Sequence, residues 1–190
     1  ELVSRDWSSD VCSSDLRVMQ KIGVSTQLLA GGDIFPALEK GVIDATEFSM
    51  PAMDIKYGFY QIAKNNYFPG WHQQVSVSHL LINMDKWNSL SDQNQAILEI
   101  AAGESTMYIY AETEYVNPYA MVEMGEKYGV ITRRWRDDQI AVFEQAWNEV
   151  VAEDSANDPL FKEVADSYFS FRKDYKKWGD AQSLNATYLD

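Results

Sequence analysis

The stretch GGDIFPALEKGVIDATEF, from Gly31 to Phe48, changes character twice and constrains the fold more than any other part of the chain. A double glycine turns the chain. DIFPALEKG then reads as a short helix, with Asp33 near its N-cap, Pro36 in its first turn and Gly41 ending it. VIDATEFSM is β-branched and partly apolar, the pattern of a strand returning to a core, and Pro51 breaks it because proline has no N–H to give a sheet. In open α/β sheets ligands sit where strands end and helices begin, so this stretch would lie at such an edge.

The same alternation runs through the chain. RVMQKIGV places Val18, Met19 and Ile22 at helical spacing ahead of Gly23, and STQLLA follows as a short strand. MDIKYGFYQIAKNN reads as a helix, YFPGWHQQ as an aromatic loop and VSVSHLLINM as a strand. Ser91 caps a long helical run that ends at Gly129 and exceeds ordinary helix length. VITRRW is a further short strand. RDDQIAVFEQAWNEVVAED then carries Ile140, Phe143, Ala146, Trp147, Val150 and Val151 on one stripe, and Asp158 and Pro159 open a last helix. Strands alternating with helices, then a helix-rich second half, define an α/β fold with a small sheet and long C-terminal helices.

The first sixteen residues, ELVSRDWSSDVCSSDL, break this pattern. They repeat Ser-Ser-Asp without periodicity and hold the single cysteine, Cys12. Back-translation of Asp6 to Leu16 resembles a common sequencing-library adapter, so residues 1–16 are expected to be a disordered artefact and residues 17–190 the authentic protein. Coding sequence upstream of Arg17, including any export signal, would then be lost. The remainder is rich enough in apolar residues for a core, the whole 190-residue chain being 46% hydrophobic. A net charge of −13 repels nucleic acid and anionic membrane surfaces. No apolar run approaches the roughly 18 residues of a membrane span.

Few residues offer covalent chemistry. There is no HExxH, GxSxG, Walker or GxGxxG motif. His79 reads as a structural histidine in a strand, and His72, in the PGWHQQ loop, as structural or surface. Among the carboxylates, Asp33 reads as a helix cap and Asp44 is open. Glu47 differs because it lies in an apolar strand beside Phe48, where a carboxylate needs a cation or a donor. Tyr57 and Tyr60 read as packing residues, whereas Trp71, after Pro69 and Gly70, is balanced between core and pocket wall.

GGDIFPALEKGVIDATEF, KYGFYQIAKNNYFPGWH and LLINMDKWNSL, in that order and spacing, resemble the substrate-binding subunit of TRAP transporters (DctP-type), in the branch that captures 2-oxo acids and related organic acids. The resemblance runs from Arg17 to the C-terminus. It implies a periplasmic binding protein-like, two-lobed fold, here incomplete, with a long helix crossing both lobes. It also implies periplasmic capture of a small organic acid, delivery to TRAP membrane permease subunits, and compatibility with a homodimer; no enzyme activity is implied. By that resemblance a metal ion, sodium or calcium, is held by the Glu47 side chain and the Phe48 carbonyl, with Glu47, Phe48 and Trp71 as substrate-binding residues. Phe48 stands where the family has tryptophan. The arginine that anchors the ligand carboxylate, upstream of the helix that Arg17 begins, has no counterpart, nor do the first lobe and another metal ligand. This fragment is therefore expected to bind weakly or not at all. Two other readings remain at this stage: an enzyme using Glu47 as base and His72 as acid, and a helical interaction module over residues 136–178.

Overall fold

The computed structural model describes residues 7–9, 13–73 and 79–182. Its elements, in chain order, are β1 (Trp7–Ser9), α1 (Ser13–Lys21), β2 (Thr26–Leu28), α2 (Gly31–Glu39), β3 (Ala45–Thr46), α3 (Pro51–Tyr57), a 3-10 turn (Phe59–Gln61), β4 (Asn65–Phe68), α4 (Met84–Asn88), α5 (Asp92–Glu126), β5 (Ile131–Arg134), α6 (Asp137–Asn157) and α7 (Pro159–Gln182). The α/β class and the long C-terminal helices are as expected.

Two small parallel sheets organise the chain. One has the order β2-β1-β3, with Trp7 opposite Thr26 on one side and Ala45 on the other. The second pairs β4 with β5, Asn65 opposite Ile131. Trp7–Ser9 and the start of α1, expected to be disordered, thus lie in regular elements. Backbone pairing asks for no particular side chain, so a Ser-rich segment can fill a strand position, and Leu16 completes the turn by burying its side chain.

Two apolar clusters hold these layers. Val18 of α1 packs with Ala146 and Val150 of α6, and Ile22, Trp71 and Trp147 close over them. Ile34 of α2, Ile43 and Phe59 form the other cluster, flanked by Leu38, Phe48 and Ile62. Burying each large aliphatic side chain is worth about 1.5–3 kcal/mol, so these few contacts carry much of the stability of so open an arrangement. Arg17 binds Glu153 and Asp154, and Lys21 binds Glu149 and Glu153, which fixes the register of α1 on α6 from its wet side.

Several expectations change in detail. Asp33 does not cap α2: the helix starts at Gly31 after an extended Ala30, with no side-chain cap, so the glycines are helical and Pro36 lies beyond the first turn. The strand through VIDATEFSM shrinks to Ala45–Thr46, and Pro51 opens α3 as its first residue instead of merely breaking a strand. Gly58, at φ 78°, ends α3 early. Asn65–Phe68 form β4, not a helix end and a loop, because β5 offers them a parallel partner distant in sequence. His79 is exposed, residues 79–83 have no regular structure and Met84 opens α4; residues 75–78 of the expected VSVSHLLINM strand lie outside the described residues.

The long helix is as read. α5 has 35 residues, about 52 Å at 1.5 Å per residue, and Ser91 caps it by accepting from the Asn94 N–H at 3.3 Å. Asn117 of α5 accepts from the Ala52 N–H, tying α3 to the long helix. Asp158 caps α7 by accepting from the N–H groups of Leu160 and Phe161.

Candidate functional site

β3 ends at Thr46, and its hydroxyl donates to the Glu47 carbonyl at 2.8 Å, stiffening the peptide where the chain leaves the sheet. Phe48 turns inward. Its ring meets Tyr57 at 4.7 Å and Phe59 at 4.9 Å, both edge-on, and it packs against the apolar cluster of α2, Ile43 and the 3-10 turn. Anchored on both sides in this way, Glu47 is itself half-buried, its side chain 19% exposed.

His72 reaches the same place from the loop after β4. Gly70 permits that loop, since a Cβ there would come within 2.6 Å of the Gln73 carbonyl oxygen. Trp71 stacks on Phe143 at 4.8 Å and meets His72 edge-on at 4.9 Å. The tryptophan is thus a wedge between the α6 cluster and the imidazole. Held by that contact, His72 places Nε2 3.8 Å from Oε1 of Glu47.

Asp15, in the first turn of α1, completes the group. It is 4% exposed; Oδ1 accepts from the Leu16 N–H at 2.9 Å, whereas Oδ2 has no hydrogen-bond partner among the described residues. One ligand atom each from Asp15, Glu47 and His72 lies within 4.8 Å of the others. Both ring nitrogens of His72 are also buried without a hydrogen-bond partner among the described residues. Burial pushes its pKa below the ordinary histidine value, against an opposing pull from Asp15. Asp54 of α3 stands close by. Burial, and then the charge on Glu47, raise its pKa from 3.8 to about 7.

Acidic groups gathered in a poorly hydrated place favour a proton or a cation, and oxygen donors suit a hard cation. The unpartnered atoms of Asp15 and His72 mean that the residues present fit one. Of the site residues read from sequence, Glu47 and Phe48 share one turn but face different ways, and Trp71 comes near Glu47 through His72. The structure also brings Glu47 and His72 together, as an acid–base reading would require. Sequence reasoning missed Asp15, which sat in the segment set aside, and undervalued His72. The available signal for the histidine was its position in a Pro-Gly loop directly after Trp71.

Two small parallel sheets, a 35-residue helix and a cluster of acidic groups at the end of β3 thus make up the frame of the site. Residues 12–158 match the bacterial extracellular solute-binding protein, family 7 (DctP), and the chain belongs to that family. It is 28% identical over 169 residues to the monocarboxylate 2-oxoacid-binding periplasmic protein of Nostoc sp., covering 89% of this chain and 46% of that protein. Among solved structures it is similar to a TRAP transporter solute binding protein from Bordetella bronchiseptica, a mixed-occupancy dimer with calcium and picolinate in one active site, at 29% identity. That match has a TM-score of 0.83 and covers 94% of this chain and 52% of the other. A TRAP periplasmic solute binding protein from Colwellia psychrerythraea shares the fold, with a TM-score of 0.82 at 24% identity over 97% of this chain and 56% of that one. The chain therefore spans about half the length of the relatives it matches. These relatives are solute-binding proteins, not enzymes. Among the described residues, no helix is long and apolar enough to cross a membrane.

Proposed function

We propose that this chain is the C-terminal portion, residues 17–190, of the extracytoplasmic solute-binding subunit of a TRAP transporter, preceded by the adapter-derived residues 1–16. The subunit captures a small organic acid in the periplasm and hands it to the membrane permease. One observation carries the reading: the half-buried carboxylate of Glu47 stands at the end of β3, with Nε2 of His72 3.8 Å from its Oε1.

Glu47 would hold a calcium or sodium ion together with the Phe48 carbonyl, and when bound the ion supplies positive charge for an anionic ligand in a site otherwise hostile to it. The ligand class follows from chemistry. The Nostoc relative is named for 2-oxo acids and the Bordetella relative holds picolinate. Both molecules carry a carboxylate with a second donor atom on the adjacent carbon, so both can close a five-membered ring on one cation. Trp71 and His72 would wall the site and keep water from it, while the Phe48 ring keeps Glu47 from turning away. Capture then needs only closure of one lobe on the other, and no bond is made or broken. Homodimerisation is compatible with this role.

The test is calorimetry with pyruvate and picolinate in calcium buffer, on this chain and on a version extended to the length of its relatives. The extended version should show saturable binding that is lost in Glu47→Gln, with weak or absent binding by the 190-residue chain. Unimpaired binding by the extended Glu47→Gln variant, or conversion of the acid to product, would overturn the reading.

A further inference from the structure

ITRRWR, from Ile131 to Arg136, gathers three of the chain's six arginines in a molecule of net charge −13. The fold sets them on an edge. Among the described residues β5 pairs with β4 alone, and all four residues of β5 are exposed. The Ile131 N–H donates to the Lys64 carbonyl at 2.8 Å and the Trp135 N–H to the Phe68 carbonyl at 3.0 Å. Successive residues of a strand aim their N–H and C=O groups to opposite sides, so those of Thr132 and Arg134 look away from β4, along an edge to which another strand can add. We propose that this arginine-bearing edge of β5 docks an extended acidic segment of a partner protein as an added strand. The proposal is independent of the reading of Glu47 as a cation ligand.

The side chains around the edge select the partner. A cavity of about 340 Å³ lies there, lined by Tyr67, Thr132, Arg133, Arg134, Arg136 and Gln139, with room for side chains that an added strand turns toward the sheet. Two of its arginines are held in place: Nε of Arg133 donates to Oδ1 of Asn65 at 2.7 Å, and Arg136 gives Nε and Nη2 to the two carboxylate oxygens of Asp138, each at 2.9 Å. Asp138 thereby offsets Arg136, and Asp137 is the other acidic residue in the first turn of α6. The guanidinium of Arg134 has no side-chain partner among the described residues, so its planar fork is left for an incoming carboxylate. Like charges oppose pairing of this edge with the same edge of a second copy, whereas an acidic strand meets complementary charge. Main-chain hydrogen bonds would supply affinity, and the alternate side chains the choice of partner.

The experiment follows a labelled, end-blocked synthetic peptide of alternating Glu and Val by fluorescence anisotropy as the 190-residue chain is added. The peptide should bind saturably and more weakly as salt rises, and the same peptide with Lys for Glu should not bind. Arg134→Glu should weaken binding by about tenfold, the scale of turning one exposed ion pair into a repulsion, and Arg134→Lys should retain most of it. Thr132→Pro removes an N–H on the open side of β5, where a sheet tolerates proline, so it should abolish binding with unchanged circular dichroism. Should that variant fail to fold, a peptide N-methylated at alternate residues decides, since it keeps the charge and loses the ladder. No saturable binding, binding unaltered in Arg134→Glu, or equal binding of the N-methylated peptide would overturn the proposal. So would loss of binding in the version extended to the length of its relatives, which would show the edge covered by the rest of the protein, and self-association abolished by Thr132→Pro without peptide, which would give the edge to a second copy.

Discussion

Asp54 shows how single residues feel the site. Its carboxyl is partly buried on α3, one oxygen has no hydrogen-bond partner among the described residues, and the charge of Glu47 adds to the cost of ionising it. In the folded chain it keeps its proton to about pH 7, whereas in the unfolded chain it releases it near 3.8. Between those values the folded state binds more protons, so stability falls as pH rises through the window. Asp54→Asn should therefore be neutral near pH 4 and stabilising by roughly 2–4 kcal/mol at pH 8. Urea denaturation in the presence of a chelator measures this; a variant no more stable than its parent at pH 8 would contradict it. The residue scale is also where sequence reading reached Glu47. A carboxylate between apolar neighbours and a proline is visible in one dimension, but its partners Asp15 and His72 are not, since they arrive from α1 and from the loop after β4.

At the scale of elements, the end of α3 sets where the site-bearing turn is anchored. Gly58 adopts φ 78° and its N–H caps the carbonyls of Asp54 and Ile55. An added Cβ would meet Nε2 of Gln61 at 2.6 Å, and the left-handed conformation itself costs a side-chain-bearing residue about 1–2 kcal/mol. Gly58→Ala should lower unfolding stability by at least that amount in urea titrations; a neutral effect would mean that α3 can end elsewhere. Element boundaries were legible where local signals act alone. Ser91 and Asp158 cap helices as read, and the stripe on α6 buries Phe143, Ala146 and Val150 as its spacing demands. β4 was not legible, because Asn65–Phe68 has no strand pattern of its own and is a strand only through its pairing with Ile131–Arg134. Asp33 misled for the opposite reason: it offers a good cap, but α2 begins two residues earlier.

At the scale of the molecule, large apolar side chains remain uncovered. Ile100, Met107 and Tyr108 on α5, and Leu160, Phe171 and Trp178 on α7, are each more than half exposed. Patches of that kind are rare on a self-sufficient monomer, and the chain spans about half the length of its relatives. The 190-residue chain should therefore bind an environment-sensitive apolar dye and associate as its concentration rises, in dye fluorescence and sedimentation velocity. A dye-silent chain that sediments as a monomer at all concentrations would show that these side chains find cover in solution.

The linear order of residues alone determined the helix-rich α/β class, the three longest helices and the importance of Glu47, because helix periodicity, caps and an isolated carboxylate are local properties. Only the tertiary structure decided that Trp7–Ser9 serves as the central strand, that Asn65–Phe68 is a strand at all, and that Asp15 and His72 converge on Glu47. Each of those outcomes depends on backbone pairing or contact between segments far apart along the chain, and neither leaves a mark on local composition.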